Sequence, residues 1–310
     1  MALPALRIGT RGSPLALAQT EAVRAALARC DPELAAHAAV AVVVITTSGD
    51  RILDRALADV GGKGLFTKEI DDALLAGTID LAVHSVKDLP TRMPGGIRFV
   101  CTLPREDPRD ALIAPAHGDL SRVPPGAVVG TASLRRQAQI LHRRPDLKVV
   151  TFRGNVQTRL RKLVAGDVDA TLLALAGLKR LGMADAATAV MSDDDMLPAV
   201  GQGAIGITCR ADDTPTLLRL AELNHPPTFT TVDAERAMLA ALDGSCRTPI
   251  AGLATLGGDG GDDLHLRGLV ARPDGSCVIE AERRGSGHEA AALGDELGAE
   301  LRRRAGPGFL

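Results

Sequence analysis

The 310-residue chain has no tryptophan and no tyrosine, and five phenylalanines are its whole aromatic content. Stacked bases need aromatic platforms, so single-stranded nucleic-acid binding is not expected. Excess positive charge is lacking too. A formal net charge of -2 argues against a generally basic binder of nucleic acid or membrane. The five cysteines (30, 101, 209, 246 and 277) are an odd number with no CxxC pair and no Cys/His ligand spacing. Neither a disulfide framework nor a zinc site is expected. No apolar run approaches membrane-spanning length, and Met1 to Ile8 carries neither the basic nor the apolar part of a secretory signal. The expectation is a soluble, cytoplasmic protein.

What is present is ordinary globular material, 45% hydrophobic and 24% charged, in a chain longer than one usual domain. Two or three domains are expected. Leu6 to Thr10 reads as a strand, followed by Ser13-Pro14 as N-cap and first helical residue of a helix to about Arg29. Strands at 38–46, 79–83 and 97–102 and a helix at 65–76 continue an α/β alternation with a largely parallel sheet. Composition turns to proline and charge at 103–108, which marks a crossing into a second domain. There the rhythm repeats: strands at 127–130, 148–152 and 170–174, helices at 134–143 and 156–165. Gly9-Thr10-Arg11-Gly12-Ser13-Pro14 is echoed by Gly130-Thr131-Ala132-Ser133-Leu134, through common design or chance.

Gly201-Gln202-Gly203-Ala204-Ile205-Gly206 has the outline of a dinucleotide fingerprint, but a strand follows where that motif requires a helix. The glycines read instead as a hinge. Gly61-Gly62-Lys63-Gly64 fails as a phosphate loop because no Ser or Thr follows the lysine. Asn224-His225-Pro226-Pro227 marks another boundary. After it come an amphipathic helix at 232–242, strands near 250–256, 264–270 and 276–281, and a final helix at 288–304. This is the pattern of a small α+β domain with an antiparallel sheet.

Charge is unevenly spread. Between Gly130 and Leu163 stand nine Lys or Arg residues and one acid, Asp146. Arginines are common throughout, 30 against 6 lysines, so Arg143, Arg144, Arg161 and Lys162 are assigned to solvated helix faces. Arg11, Arg135, Arg136 and Arg153 fall at strand-to-helix turns beside the capping residues Ser13, Ser133 and Asn155, and Arg159 lies one turn into its helix. Free N–H groups at helix starts together with guanidinium forks suit a ligand bearing several carboxylates.

Two further residues stand out. Asp88, in Leu81-Ala-Val-His-Ser-Val-Lys-Asp-Leu-Pro90, should sit just past a strand's carboxyl end, where open α/β sheets place ligands. On these residues alone a solvated loop carboxylate or a salt-bridge partner is the commoner fate of such a side chain. Cys101 and Cys209 lie in apolar strands, whereas Cys246 lies in a Gly/Ser/Pro turn beside Arg247, which favours a thiolate.

Seven segments occur in an order that resembles the porphobilinogen deaminase (hydroxymethylbilane synthase) family. They are Ile8 to Leu17, Gly61 to Phe66, His84 to Pro90, Gly130 to Gln137, Arg153 to Leu160, Leu197 to Gly206, and Gly244-Ser245-Cys246. The resemblance is close from Arg7 to about Ala251 and looser beyond. It implies two similar doubly wound mixed-sheet α/β domains of the type II periplasmic-binding-protein kind. The first would comprise 1–103 and 204–223, the second 104–203, with a small α+β cofactor-attachment domain at 224–310. It implies a transferase of haem biosynthesis that joins four porphobilinogen molecules head to tail, releasing ammonia each time, to give hydroxymethylbilane.

On the same resemblance a dipyrromethane cofactor is attached through a thioether to Cys246, and Asp88 is catalytic. Cofactor and substrate carboxylates would be bound by Arg11, Lys87, Ser133, Arg135, Arg136, Arg153 and Arg159, with Ser13, Lys63, Ser85, Thr131, Asn155 and Gln202 in the same set. No metal, nucleic-acid or membrane partner is implied, and a monomer is expected. Ala18 and Thr208 depart from the family's usual aromatic and Glu, with local packing changes and intact activity as the expectation. Two rival readings are a solute-binding protein with an arginine-lined cleft, which leaves Cys246 without a use, and a nucleic-acid binder using the 130–163 patch.

Overall fold

The computed structural model describes residues 6–36, 39–51, 64–245, 248–257 and 262–309. In chain order, β1 (Leu6–Thr10), α1 (Pro14–Cys30), β2 (Val40–Val44), the single turn α2 (Ser48–Arg51), α3 (Lys68–Leu75), β3 (Leu81–Ser85) and β4 (Ile97–Thr102) come first. Next are β5 (Asp110–Ile113), β6 (Val128–Gly130), α4 (Leu134–Arg143), β7 (Lys148–Val150), α5 (Val156–Val164), β8 (Ala170–Ala174), α6 (Leu175–Arg180) and β9 (Ala189–Val190). The remainder is β10 (Ile205–Arg210), α7 (Thr214–Leu223), α8 (Pro226–Ala241), β11 (Ile250–Gly257), β12 (Asp263–Ala271), β13 (Val278–Ser286) and α9 (Ala290–Ala305).

These elements form two compact units. One comprises 1–53, 62–105 and 204–229, and the other 54–61, 106–203 and 230–310. The sheet of the first unit has the order β2-β1-β3-β10-β4. β1 runs parallel to β2 and β3, while β10 runs antiparallel to both its neighbours. In the second unit the order is β7-β6-β8-β5-β9, again with three parallel strands and one, β5, antiparallel to both neighbours. The two sheets share one plan, in which β6, β7 and β8 correspond to β1, β2 and β3, and β5 takes the place of β10. The Gly-Thr echo falls at the same point of each plan, the end of the central strand and the start of the next helix. That position favours common design over chance.

Packing follows from the sequence pattern. Ile8, Leu81, Val83, Ile205 and Ile207 are apolar and buried from β1, β3 and β10, with Val23 and Leu27 of α1 against them. In the second unit a three-stranded antiparallel sheet, β11-β12-β13, is covered by α9, whose Leu297 and Leu301 are fully buried. Ala138 of α4 and Leu197 share a cluster with Leu253 and Leu269 of this sheet. The fold is therefore two mixed-sheet α/β domains plus a small antiparallel-sheet domain.

Two sequence expectations need correction. The strand β5 was not foreseen, because its first residue is a charged Asp and the preceding stretch reads as a linker. Helix α8 begins at Pro226, not Val232. Proline is at home in a first turn, where its missing N–H has no intrahelical partner anyway. His225 caps that turn, since its Nδ1 accepts from the Thr228 N–H at 3.3 Å and its carbonyl from the Phe229 N–H at 3.0 Å.

Candidate active site

In the first unit, Arg11, Ser13, Leu15, Ala16, Gln19, Phe66, Val83, His84, Ser85 and Asp88 line one pocket at the carboxyl ends of β1 and β3. Ser13 is the N-cap of α1 and its hydroxyl accepts from the Ala16 N–H at 3.2 Å. After β3 the chain makes a single 3-10 turn, Val86–Asp88, and Leu89 then takes an extended backbone (φ -71°, ψ 143°). Pro90 imposes that geometry on its predecessor and stops the turn with Asp88 at its end. The half-buried Lys87 lies in the same turn.

Arg11 organises the charge in this pocket. Its Nε donates to both oxygens of Asp50 (3.1 and 3.2 Å), and its Nη2 also bonds Asp50. Its Nη1 stands 3.9 Å from Oδ2 of Asp88, and its guanidinium carbon lies 4.2 Å from the centre of the Phe66 ring. Burial disfavours the Asp50 charge, yet bonds from Arg11 and Thr47 outweigh it and hold that carboxyl below its usual range. Gln19 Nε2 donates to the Ser85 hydroxyl at 2.8 Å. His84 is buried, with Nε2 3.0 Å from the Thr208 hydroxyl. Burial, helped by Arg11, pushes its pKa down to about 4, so it is neutral at pH 7. Thr208 thus meets a pocket residue without touching Asp88.

The second unit carries the other expected residues. Thr131 accepts from the Ser133 N–H at 3.2 Å, Ser133 caps α4 by accepting from the Arg136 N–H at 3.4 Å, and Asn155 caps α5 by accepting from the Thr158 N–H at 2.8 Å. Arg159 donates through Nε to the Gly154 carbonyl at 2.9 Å. Burial, then repulsion from Arg136 and Arg153, brings its pKa down to about 10. Among the described residues no carboxylate pairs with Arg159. Arg136, Arg153 and Arg159 are close enough to repel one another, and that concentration of positive charge suits carboxylate ligands.

Three residues depart from expectation. Arg135, Arg136 and Gln202 are buried around the fully buried Asp110. Asp110 accepts from Arg135 Nη2 and Arg136 Nη2 at 2.7 Å each and from Gln202 Nε2 at 2.8 Å. The remaining Nη1 groups of the two arginines donate to the carbonyls of Leu197 (2.8 Å) and Leu172 (2.9 Å). Burial opposes the Asp110 charge, but the two arginines outweigh it and hold the carboxyl well below its usual range. The Nη groups of both arginines are thus engaged within the protein. The bonds to Asp110 were not expected, because the strand that bears it, β5, was unforeseen.

Lys63 and Cys246 lie outside the described residues. The flanking residues of Cys246 are tied together: the Thr248 hydroxyl donates to the Ser245 carbonyl at 2.7 Å and accepts from the Ser245 N–H at 2.9 Å. Arg143, Arg161 and Lys162 are exposed, as assigned, whereas Arg144 is half-buried just past the end of α4 and does structural work. Arg144 bonds Asp146 and the carbonyls of Leu120 and Val123. Asp50, Gln19, His84 and Asp110 were not anticipated; the Ser-Gly-Asp turn was a weak sign of Asp50.

Residues 6–217 match the porphobilinogen deaminase dipyromethane cofactor binding domain, and residues 229–303 match the porphobilinogen deaminase C-terminal domain. The chain belongs to the porphobilinogen deaminase family. It is 58% identical over 306 residues to the chloroplastic porphobilinogen deaminase of Oryza sativa subsp. japonica, covering 98% of this chain and 85% of the relative. It is 56% identical over 308 residues to the porphobilinogen deaminase of Paracoccus denitrificans, covering 98% and 96%. Among solved structures, an ancestral cationic amino acid solute binding protein overlays with a TM-score of 0.45 at 18% identity, covering 74% of this chain and 93% of that one. As a porphobilinogen deaminase, the protein is a transferase of tetrapyrrole biosynthesis that polymerises porphobilinogen into hydroxymethylbilane and uses a dipyrromethane cofactor. No helix among the described residues is long and apolar enough to cross a membrane.

Proposed function

We propose that Asp88 is the catalytic carboxylate of hydroxymethylbilane synthesis and that Cys246 holds the cofactor. The observation that carries the first assignment is the pocket: a carboxylate just past β3, with Arg11 Nη1 at 3.9 Å and the Ser13 and Ser85 hydroxyls in the same lining. There Asp88 accepts hydrogen bonds from pyrrole N–H groups. It stabilises the positive charge that develops on the ring as ammonia leaves, and it takes up or returns a proton as bonds form and break. Neutral His84 adds no competing charge.

The cofactor, when bound, supplies the primer on which the pyrrole chain is extended. The residues present suit such a polycarboxylate, since Arg159, Arg153 and Arg136 form a cationic group in which Arg159 is depressed to about 10 by burial and by its fellow cations. In this reading Arg153 and Arg159 bind acetate and propionate groups directly. Arg135 and Arg136, with Asp110 and Gln202 behind them, supply fixed positive charge. Arg11, Ser13, Ser85 and Lys87 serve carboxylates near Asp88, Thr131, Ser133 and Asn155 serve others at the starts of α4 and α5, and Lys63 is assigned to the same set by family resemblance alone. The protein works as a cytoplasmic monomer, with domains at 1–103 with 204–223, 104–203 and 224–310.

Intact-mass measurement of the purified protein tests the attachment. A covalent addition of two pyrrole units is expected, absent in Cys246→Ser. An active protein of unmodified mass would refute the assignment.

A further inference from the structure

Arg11 stands near Asp88 without closing on it, and the reason lies on the far side of the guanidinium. An arginine beside a carboxylate ordinarily pairs with it fork to fork, through two parallel N–H···O bonds. Here Nε and Nη2 are spent on Asp50, and the 3.9 Å left between Nη1 and Asp88 exceeds hydrogen-bond length. Asp50 is itself fixed, because its Oδ2 accepts from the Thr47 N–H at 3.2 Å and from the Thr47 hydroxyl at 2.8 Å. The turn that bears it is pinned to α3, where Glu69 accepts from the Ser48 N–H at 3.0 Å. Phe66 closes against the face of the guanidinium, and it can lie there because Gly49 has no Cβ: one would stand 2.3 Å from the ring. The cation is held from its edge and from its face.

We infer that Asp50 is a positioning residue of the reaction, which restrains Arg11 so that both oxygens of Asp88 remain available to the pyrrole N–H groups. This rests on the reading of Asp88 as the catalytic carboxylate. Among the described residues, the charged or titratable groups around Asp88 are Arg11 from the β1–α1 turn, Lys87 from its own turn, His84 from β3, and Asp50 acting through Arg11. Arg11 is held by Asp50, and loss of that partner would let it advance. Released from Asp50, it would swing into a two-bond pair with Asp88, occupying the oxygens the reaction needs and stabilising their ionised form.

The test compares kcat and KM for porphobilinogen across pH in wild type, Asp50→Asn, Asp50→Glu, Thr47→Val and Asp88→Asn, all as cofactor-loaded protein verified by intact mass. Misplacing one reacting group by an ångström costs about a hundredfold in rate, so Asp50→Asn should lose about that factor in kcat. KM should change little, and the acid limb of the kcat profile should move to lower pH. Asp50→Glu should recover most of the loss. Thr47→Val, which removes one of the donors that fix Asp50, should shift the profile the same way by less, and it serves if Asp50→Asn does not fold. A loss confined to KM, or an acid limb unmoved in both Asp50→Asn and Thr47→Val, would overturn the inference. If Asp88→Asn is inert while Asp50→Asn resembles wild type, this inference alone fails. An active Asp88→Asn would fail the reading beneath it.

Discussion

The Asp110 cluster makes a demanding prediction for stability. Asp110 is fully buried and takes three hydrogen bonds, two of them from arginines that are themselves 4% and 5% exposed. Asp110→Asn keeps the shape and one acceptor oxygen but leaves two buried guanidinium groups without their counter-charge. Breaking a buried ion pair by removing one partner costs about 3–5 kcal/mol, and the retained oxygen argues for about 3. For a unit of this size each kcal/mol lowers the melting temperature by about 2–4 °C, giving about 6–12 °C. The Asp110 carboxyl is held below its usual range, so its contribution is complete above the unfolded pKa of about 3.9 and fades only as pH falls through the lower folded value. Thermal melts followed by circular dichroism should therefore show the full gap at pH 7 and at pH 5, and a narrowing gap in stronger acid. A gap under about 2 °C at pH 7 would refute this account of the cluster.

Asp71, buried in α3, behaves oppositely: burial pushes its pKa up to about 6, so its stability is full below the unfolded value and lost as pH rises through 6. Asp71→Asn should melt higher than wild type at pH 7 and no higher near pH 4; equal midpoints at pH 7 would count against it. Gly130→Ala should lose about 1–3 kcal/mol in denaturant titration, because its Cβ would stand 2.6 Å from the Phe152 ring. Arg144→Ala should destabilise more than Arg143→Ala in the same titration, since Arg144 satisfies the part-buried carbonyls of Leu120 and Val123 while the contacts of Arg143, with the Asp194 carbonyl and with Asp195, are exposed.

Local chemistry was legible in the sequence. Ser13-Pro14, Ser133 and Asn155 announce helix starts through capping alone, and Pro90 fixes where the turn ending in Asp88 must stop. The helix of α4 was bounded correctly by its own periodicity. What was not legible depends on partners distant in the chain. That Arg135 and Arg136 bond Asp110 shows only once β5 brings it beneath them, from 25 residues before Arg135. A four-residue strand that opens with a charge carries no periodicity to reveal it. Asp50 posed the same difficulty, because its meaning lies in Arg11, 39 residues earlier. Carboxylates that organise arginines are legible only once the strands are in place.

The position of β10 also bears on how the chain is made. It lies between β3 and β4, yet Ile205 follows Thr102 by the whole length of the second α/β domain. At a synthesis rate of roughly 5–20 residues per second, the ribosome takes roughly 5–20 s to cover that distance. Throughout that interval β3 and β4 lack the strand that joins them, and each carries an unpaired edge open to the wrong neighbour. The second sheet, by contrast, draws all five of its strands from one uninterrupted stretch and can close first. A nascent chain arrested before Ile205 should therefore present a finished second domain and a first domain that is incomplete and dependent on chaperones.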